Sequence, residues 1–583
     1  MLRTTVSHGA LLAGLAVVAA VPAVAQAPAV QAANATALPM LSVEGSTPPN
    51  TLQAPTGVSR LPGTVQDTPQ TINVVPAEVL RQQNVTTLEE ALRNVPGITA
   101  SAGEGNGGTS GDQFRIRGFN AQNDLFVDGL RDFGSYQRDA FTFEEVAVLK
   151  GPSGYALGGA GTVGGGVNVS SRTATLGNHY RGVATGGGGP FARATADINV
   201  QVGESTAVRL NLMGQSFNVV DRDELRGRRW GVAPSVAFGL GTDTTLSIEY
   251  LHYEYDQVTD SGSPILFPPN GRLGRPAAEF GVRRANWYGI QNDEDDVNVD
   301  RLTARLSHRV NDWLTLSNDF RTGWVNRDFA YTVPNCGTGV GAAYANSCSG
   351  RFFAGQNPTL SYGGGSSPYS QDTWSIQNIA TGTARFNTGP LRHQLVAGID
   401  YAREENERTG FGYSQTRVAD TLLSPNNSRF LPVGAANNQR DTDIDTFALF
   451  ANERVWLIPQ VSLIGGLRWT HYEIDYRAGP PGLAATTNIS TSDSFLDPTA
   501  SIVFEPTPTQ TYYFTYSTST TPPGANFTTL PFSVNPNVEP ERNRNFEIGG
   551  KIGLFENRLG LYGALFHTRK NNALEQLADG TFF

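Results

Sequence analysis

From Ala192 onward the chain alternates apolar and polar residues with a period of two. Ala192, Ala194, Ala196, Ile198, Val200 and Val202 interleave with Arg193, Thr195, Asp197, Asn199 and Gln201. Val208, Leu210 and Leu212 do the same with Arg209 and Asn211, as do Leu302, Ala304 and Leu306 with Arg301, Thr303, Arg305 and Ser307. Such segments read as strands with one apolar and one polar face. A soluble sandwich would turn the apolar face to a core, whereas a membrane barrel turns it to lipid and lines its lumen with the polar one. The connections decide between them. Tight links at Gly203-Glu204, Thr242-Asp243, Asn311-Asp312, Pro459-Gln460, Thr509-Gln510 and Asn557-Arg558 alternate with long ones near 257–296, 327–372, 412–441 and 522–544. Short turns on one side and long loops on the other are the pattern of a bacterial outer-membrane barrel. Trp230, Trp313, Trp324 and Trp456 fall near strand ends, where interfacial rings are expected.

The N-terminus supplies the compartment. Arg3, an uncharged apolar run from Ala10 to Val21 and then Ala23-Val24-Ala25 form a secretory signal peptide spanning 1–25. The run is too short for a spanning helix, which takes ~20 residues. No later stretch reaches that length of apolar sequence, so the membrane reading requires a barrel. A net charge of −10 argues against a nucleic-acid partner. The only two cysteines, Cys336 and Cys348, in an oxidising compartment most simply close one loop as a disulfide. A metal site is the weaker alternative, because two thiols without a nearby histidine fall short of a ligand set.

Between Asp112 and Arg172 very short strands are punctuated by glycines. The runs are Phe114-Arg115-Ile116-Arg117-Gly118-Phe119, Asp128-Gly129-Leu130-Arg131-Asp132, Val148-Leu149-Lys150-Gly151-Pro152 and Gly164-Gly165-Gly166-Val167-Asn168. Such a segment buries little by itself and has to be held inside something larger. Upstream, Ile72-Asn73-Val74-Val75 reads as a strand, and Thr87-Leu88-Glu89-Glu90 as a capping box opening a short helix before Pro96-Gly97. The order and spacing of these pieces resemble the plug domain of TonB-dependent outer-membrane siderophore receptors, and Gly134 to Phe141 is most similar to the catecholate branch. Gly159-Ala160-Gly161-Thr162-Val163-Gly164 matches a dinucleotide fingerprint in letters only. A strand rather than a helix is expected after it, so no helix N-terminus faces a phosphate.

The resemblance implies a domain order and a set of roles. Residues 26–64 would hold the Ton box and a flexible linker, 65–172 the plug, and 179–583 the barrel. Leu41-Ser42-Val43-Glu44-Gly45 is the expected Ton box, a β-prone peptide suited to adding a strand to the TonB protein of the inner-membrane energising complex. Its closeness to the signal peptide leaves no room for a signalling domain in between. Arg117 and Lys150 are expected to pair with barrel glutamates, Glu547 foremost. Arg131, Phe133, Tyr136 and Arg138 fall at the plug apex, where they would contact an anionic aromatic iron chelate. Phe352, Phe353, Tyr362 and Tyr369 could stack on it from the loops, and Arg226, Arg228, Arg229, Arg283 and Arg284 could steer it. The implied function is import of a ferric siderophore, with iron carried as cargo and no resident cofactor or metal. Haem, cobalamin or an oligosaccharide are alternative cargoes. An outer-membrane enzyme or passive porin has less to recommend it: the seven histidines are dispersed, none in a nucleophile motif, and a porin would carry no plug.

The strand count is discordant. About fifteen candidates lie between His179 and Ala573, where plugged transporters have about 22 and bacterial barrels an even number. The expectation is an incomplete barrel, a C-terminally truncated receptor whose wall is open between its first and last strands.

Overall fold

The computed structural model describes residues 50–100, 111–121, 124–157, 163–269, 273–339, 341–362, 367–414, 420–522 and 539–573. The signal peptide, Leu41–Gly45, and residues 158–162 of the glycine run lie outside them. Fifteen antiparallel strands, from His179–Gly187 to Leu559–Asn571, form one continuous sheet, each wall strand pairing with the wall strands before and after it. The outer edges of these two terminal strands pair with nothing among the described residues, so the wall is open there. The longest strand, Val433–Ile458, has 26 residues. At about 3.3 Å per residue it runs far past the ~25 Å apolar band of such a barrel.

Exposure along the wall is inverted relative to a soluble protein. Leu302, Leu306, Leu316, Leu449, Ile502 and Phe504 are exposed on the outer face, while Arg209, Asn211, Arg301 and Thr303 are buried on the inner one. This arrangement suits lipid outside and a polar filled lumen inside. Trp230 and Trp324 face outward and are exposed. Trp456 departs from the expectation, because its place in the alternation turns it inward, between Arg392 and Arg454.

The lumen is filled by the plug. A five-stranded sheet runs in the order Ile72–Pro76, Phe143–Lys150, Gly165–Ser171, Leu125–Val127 and Leu130–Arg131, beside a three-stranded ribbon of Ile98–Ala100, Phe114–Ile116 and Phe119–Asn120. Two apolar clusters hold it, one around Leu88, Ile116, Val146 and Val167, the other around Leu52, Ile72, Phe126 and Leu149. Gly165 has φ +129°, and a Cβ there would stand 2.0 Å from the Leu149 carbonyl oxygen. Only glycine lets this strand start so close to its neighbour. Strand Gly165–Ser171 follows the glycine run directly, leaving no helix for a nucleotide phosphate. The helix Leu88–Leu92 is capped by Thr87 Oγ, which accepts from the Glu90 amide. The Glu90 carboxylate closes back onto the Thr86 amide, one residue earlier than a regular capping box.

On the long-loop side, connections 258–293, 331–368 and 414–432 share one apolar cluster of Leu266, Ala277, Val282, Tyr288, Cys336, Leu360 and Leu422. Cys336 and Cys348 are disulfide-bonded, with Cα atoms 5.1 Å apart. Thiol labelling of denatured, unreduced protein is therefore expected to find no reactive cysteine. Two labelled thiols would contradict the bond.

Candidate functional site

Strand Glu541–Leu554 points Asn543, Asn545, Glu547 and Lys551 inward, each no more than 2% exposed. Glu547 is the centre of a seam between wall and plug. Its Oε2 accepts from Arg117 Nη2 at 2.6 Å. Its Oε1 accepts from the Thr71 amide (2.9 Å), Thr71 Oγ (2.8 Å) and Tyr513 Oη (2.8 Å). Arg117 reaches it from a turn in which it takes φ +53° ahead of Gly118 at +86°, and its guanidinium lies 3.7 Å over the Phe566 ring. Lys150 departs from the expectation. Its Nζ donates to the Pro96 carbonyl at 2.6 Å, inside the plug, rather than to a wall glutamate. Burial lowers this ammonium to about 8, Arg117 adds repulsion, and Glu547 offsets only part of it.

The segment just downstream of residue 64 is gripped by its main chain. Lys551 Nζ donates to the carbonyls of Val65 and Thr68, Arg454 to that of Asp67 at 3.0 Å, and Thr515 Oγ to that of Pro69 at 2.7 Å.

The apex divides into buried and open halves. Tyr136 and Arg138 are 2% and 4% exposed and belong to the plug's interior, contrary to their expected ligand role. Arg138 Nε donates to Asp132 Oδ2 at 2.6 Å, and its Nη1 and amide to Asp112 Oδ2 at 3.3 and 2.9 Å. Tyr136 Oη donates to Asp132 at 2.6 Å, and Arg301 from the wall adds a bond of 3.0 Å to the same carboxylate. Two carboxylates this deep require cations beside them, and that need overrides apex position. Burial pushes Asp112 up to about 6 against the pull of Arg138. It pushes Asp132 upward too, but Arg138, Arg301 and Arg321 outweigh it and hold that carboxyl well below the usual range. A further plug–wall pair missed in the sequence is Arg193 with Asp139, bidentate at 2.6 and 2.8 Å.

Arg131 and Phe133 are half-buried and remain at the open surface of the apex, the guanidinium 4.9 Å over the ring. Between them and the Arg138 cluster, Gly134 (φ +93°) touches the wall, where a Cβ would meet Val325 Cγ2 at 2.8 Å. Glu404 and Tyr472 on the wall lie in the field of Arg131. Farther along the same inward faces come Arg408, Arg440 and Tyr476, which form a mutual electrostatic group. Arg408 lies 3.5 Å over the Tyr369 ring. The wall above the plug thus carries half-buried arginines backed by buried tyrosine rings, with the Glu404 carboxylate in the field of Arg131. The sequence signal for these wall residues was only their parity in the alternation.

Several expected contributors are engaged elsewhere. Phe352 and Phe353 pack with Phe280 in the loop cluster, and Tyr362 takes a hydrogen bond from Arg429. Arg226, Arg228 and Arg283 pair with Glu224, Asp256 and Asp223. Arg229 is buried on Gln137 and Gln257. Three of these four therefore face a carboxylate that offsets their charge, and the fourth is buried.

Residues 64–166 match the TonB-dependent Receptor Plug Domain, and residues 229–583 match the family described as TonB dependent receptor-like, beta-barrel. The chain belongs to the TonB-dependent receptor family. It is 32% identical to the catecholate siderophore receptor Fiu of Escherichia coli K12, over 93% of this chain and 74% of that one. It is 29% identical to the probable TonB-dependent siderophore receptor PiuA of Acinetobacter baumannii, over 88% and 70%. The closed-form crystal structure of Fiu superposes with a TM-score of 0.79 at 31% identity, covering 91% of this receptor and 78% of Fiu. The crystal structure of PiuA gives 0.80 at 26% identity, covering 91% and 77%. Receptors of this family are outer-membrane transporters rather than enzymes.

Proposed function

We propose that this receptor captures an anionic ferric siderophore of the catecholate class above the plug and imports it with energy delivered by TonB. One observation carries the cargo reading. Arg131 and Phe133 stand half-buried at the plug apex, and Arg408 and Arg440 stand half-buried on the inward faces of the wall, backed by the buried rings of Tyr369 and Tyr476. A ferric catecholate is an anion with aromatic faces. Guanidiniums and phenols meet both properties, through charge-assisted hydrogen bonds and cation–π contacts. The similarity to Fiu, a catecholate siderophore receptor, supports that chemistry. Iron enters and leaves as the chelate, so the protein binds and releases without catalysis, and no resident metal or cofactor is needed. Arg131 and Phe133 are the plug's contribution to the ligand, and the Arg117–Glu547 seam is the dock that the plug leaves or loosens.

The test is iron uptake by a strain stripped of its own catecholate receptors and supplied with this chain. Uptake from a ferric catecholate, and not from a ferric hydroxamate, is expected. Uptake from the hydroxamate alone would reject the cargo class. The coupling element is Leu41–Gly45, which would pair edge to edge with TonB. Val43→Pro removes a main-chain donor from that pairing. It is expected to abolish uptake while surface binding of the chelate persists, and undiminished uptake would reject the assignment.

A further inference from the structure

A second concavity lies at the opposite, short-turn mouth of the barrel, where the capture site plays no part. It is a cleft of about 570 Å³ between Pro62, Gly63 and Asp67, where the linker enters the plug, and the inner wall near Arg385, Arg392 and Trp456. That size is in the range of small-molecule sites, ~300–1,000 Å³. Strand pairing sets its chemistry: Arg392 lies opposite Trp456, and Arg385 opposite Gln394, on three successive strands. The Trp456 ring has Arg392 at 3.8 Å on its centroid and Arg454 at 4.6 Å. The acids nearby are already engaged. Glu505 accepts from Arg454 at 2.7 Å, and the Asp67 carboxylate accepts from the amide and hydroxyl of Thr64. Among the described residues neither Arg385 nor Arg392 has an acidic partner, so two guanidiniums and an indole face an open cleft.

The position of the cleft gives it a use. One of its sides is the plug segment that Lys551, Arg454 and Thr515 hold by its carbonyls, so displacing that segment would join the cleft to the lumen. We infer that the cleft is an exit subsite, where an anionic aromatic chelate pauses between Arg385, Arg392 and Trp456 before leaving the barrel. This rests on the cargo reading above. The two arginines are exposed, and exposed charges bind weakly, which favours release over retention. An exit site should be weaker than the capture site, and this one uses the same chemistry with fewer groups and more water.

The experiment uses the full chain and the ferric complex of 2,3-dihydroxybenzoate. Equilibrium binding to the solubilised receptor should show a tight class of sites and a weaker one. Arg385→Gln/Arg392→Gln should remove the weaker class and leave the tight one unchanged. In cells the same pair should lower the maximal uptake rate several-fold without changing the concentration giving half-maximal uptake. Trp456→Phe should remove the part of the tryptophan quenching that titrates with the weaker class. A tight class with no second class, or a second class indifferent to both arginines, overturns the exit subsite while sparing the cargo reading. Absence of the tight class overturns both. If a synthetic peptide of Leu41–Gly45, and not the chelate, binds in an arginine-dependent way, the cleft is a seat for the chain's own N-terminal segment and the exit subsite is wrong.

Discussion

Glu547→Ala is expected to loosen the plug by about 3–5 kcal/mol, the cost of removing one member of a buried ion pair. The substitution strands Arg117, which is 4% exposed and has Glu547 as its ion-pair partner. It also takes the acceptor from the Thr71 amide, Thr71 Oγ and Tyr513 Oη at once. Urea-induced release of the plug, followed by protease accessibility of residues 65–100 in the solubilised receptor, measures the effect. Glu547→Gln keeps an acceptor for Thr71 but not the charge, so it should fall between the two. The double variant Arg117→Met/Glu547→Leu should recover much of the loss, because an apolar pair removes the stranded charge. A change below about 1 kcal/mol for Glu547→Ala, the scale of an exposed pair, would mean that the seam does not hold the plug.

Arg138→Met should be as damaging, for the opposite reason: it leaves two carboxylates, Asp112 and Asp132, without their shared cation. Arg301 still serves Asp132 at 3.0 Å, so Asp112 bears most of the loss. A cost of about 3–5 kcal/mol is expected at neutral pH. The deficit should shrink as the solution is acidified. Asp112 already sits at about 6 in the folded protein, above the ~3.9 of an unfolded aspartate, and without Arg138 it rises further. The folded state then binds the proton more tightly than the unfolded one. Stability is regained as pH falls through the folded value, down to about 4. Equilibrium unfolding of wild type and variant at pH 5 and pH 8 decides this. A deficit that stays constant or grows on acidification would reject the account of Asp112.

The two substitutions also mark what the sequence could disclose. The pairing of Arg117 with Glu547 is legible only through the family resemblance, which places a cation of the plug run opposite a glutamate of the wall. Lys150 carried the same signal but found a carbonyl of its own domain, since Pro96 lies nearer than the wall. Arg138 and Tyr136 show a different limit. Their positions near the apex were legible, but their direction was not, and the buried aspartates drew both inward. Arg408, Arg440 and Tyr476 lie on three successive strands and become neighbours only through the register of those strands. Alternation alone could assign them a face but not a height. Trp456 is the reverse case: a position near a strand end gives its height, but not that it turns inward between Arg392 and Arg454. The fold class was more accessible than any single site because period-two patterning repeats over fifteen strands, and one misplaced residue does not disturb it.

The grip on residues 65–69 is mostly on the main chain, with the Gln66 amide adding a side-chain bond to Thr511 Oγ at 2.8 Å. Lys551, Arg454 and Thr515 all hold main-chain oxygens, which every residue type supplies. A change at Gln66 therefore gives up its own bond to the wall and leaves the main-chain holds in place, whereas a single change at Lys551 frees two points together. The attachments are also strung in series along the chain. A tug from the N-terminal side meets them one after another, as stitches are unpicked from one end of a seam. Peak force is then set by one stitch, and total work by the whole row. Such a fastening resists thermal jostling, which must break several bonds at once, and yields to a modest directional pull.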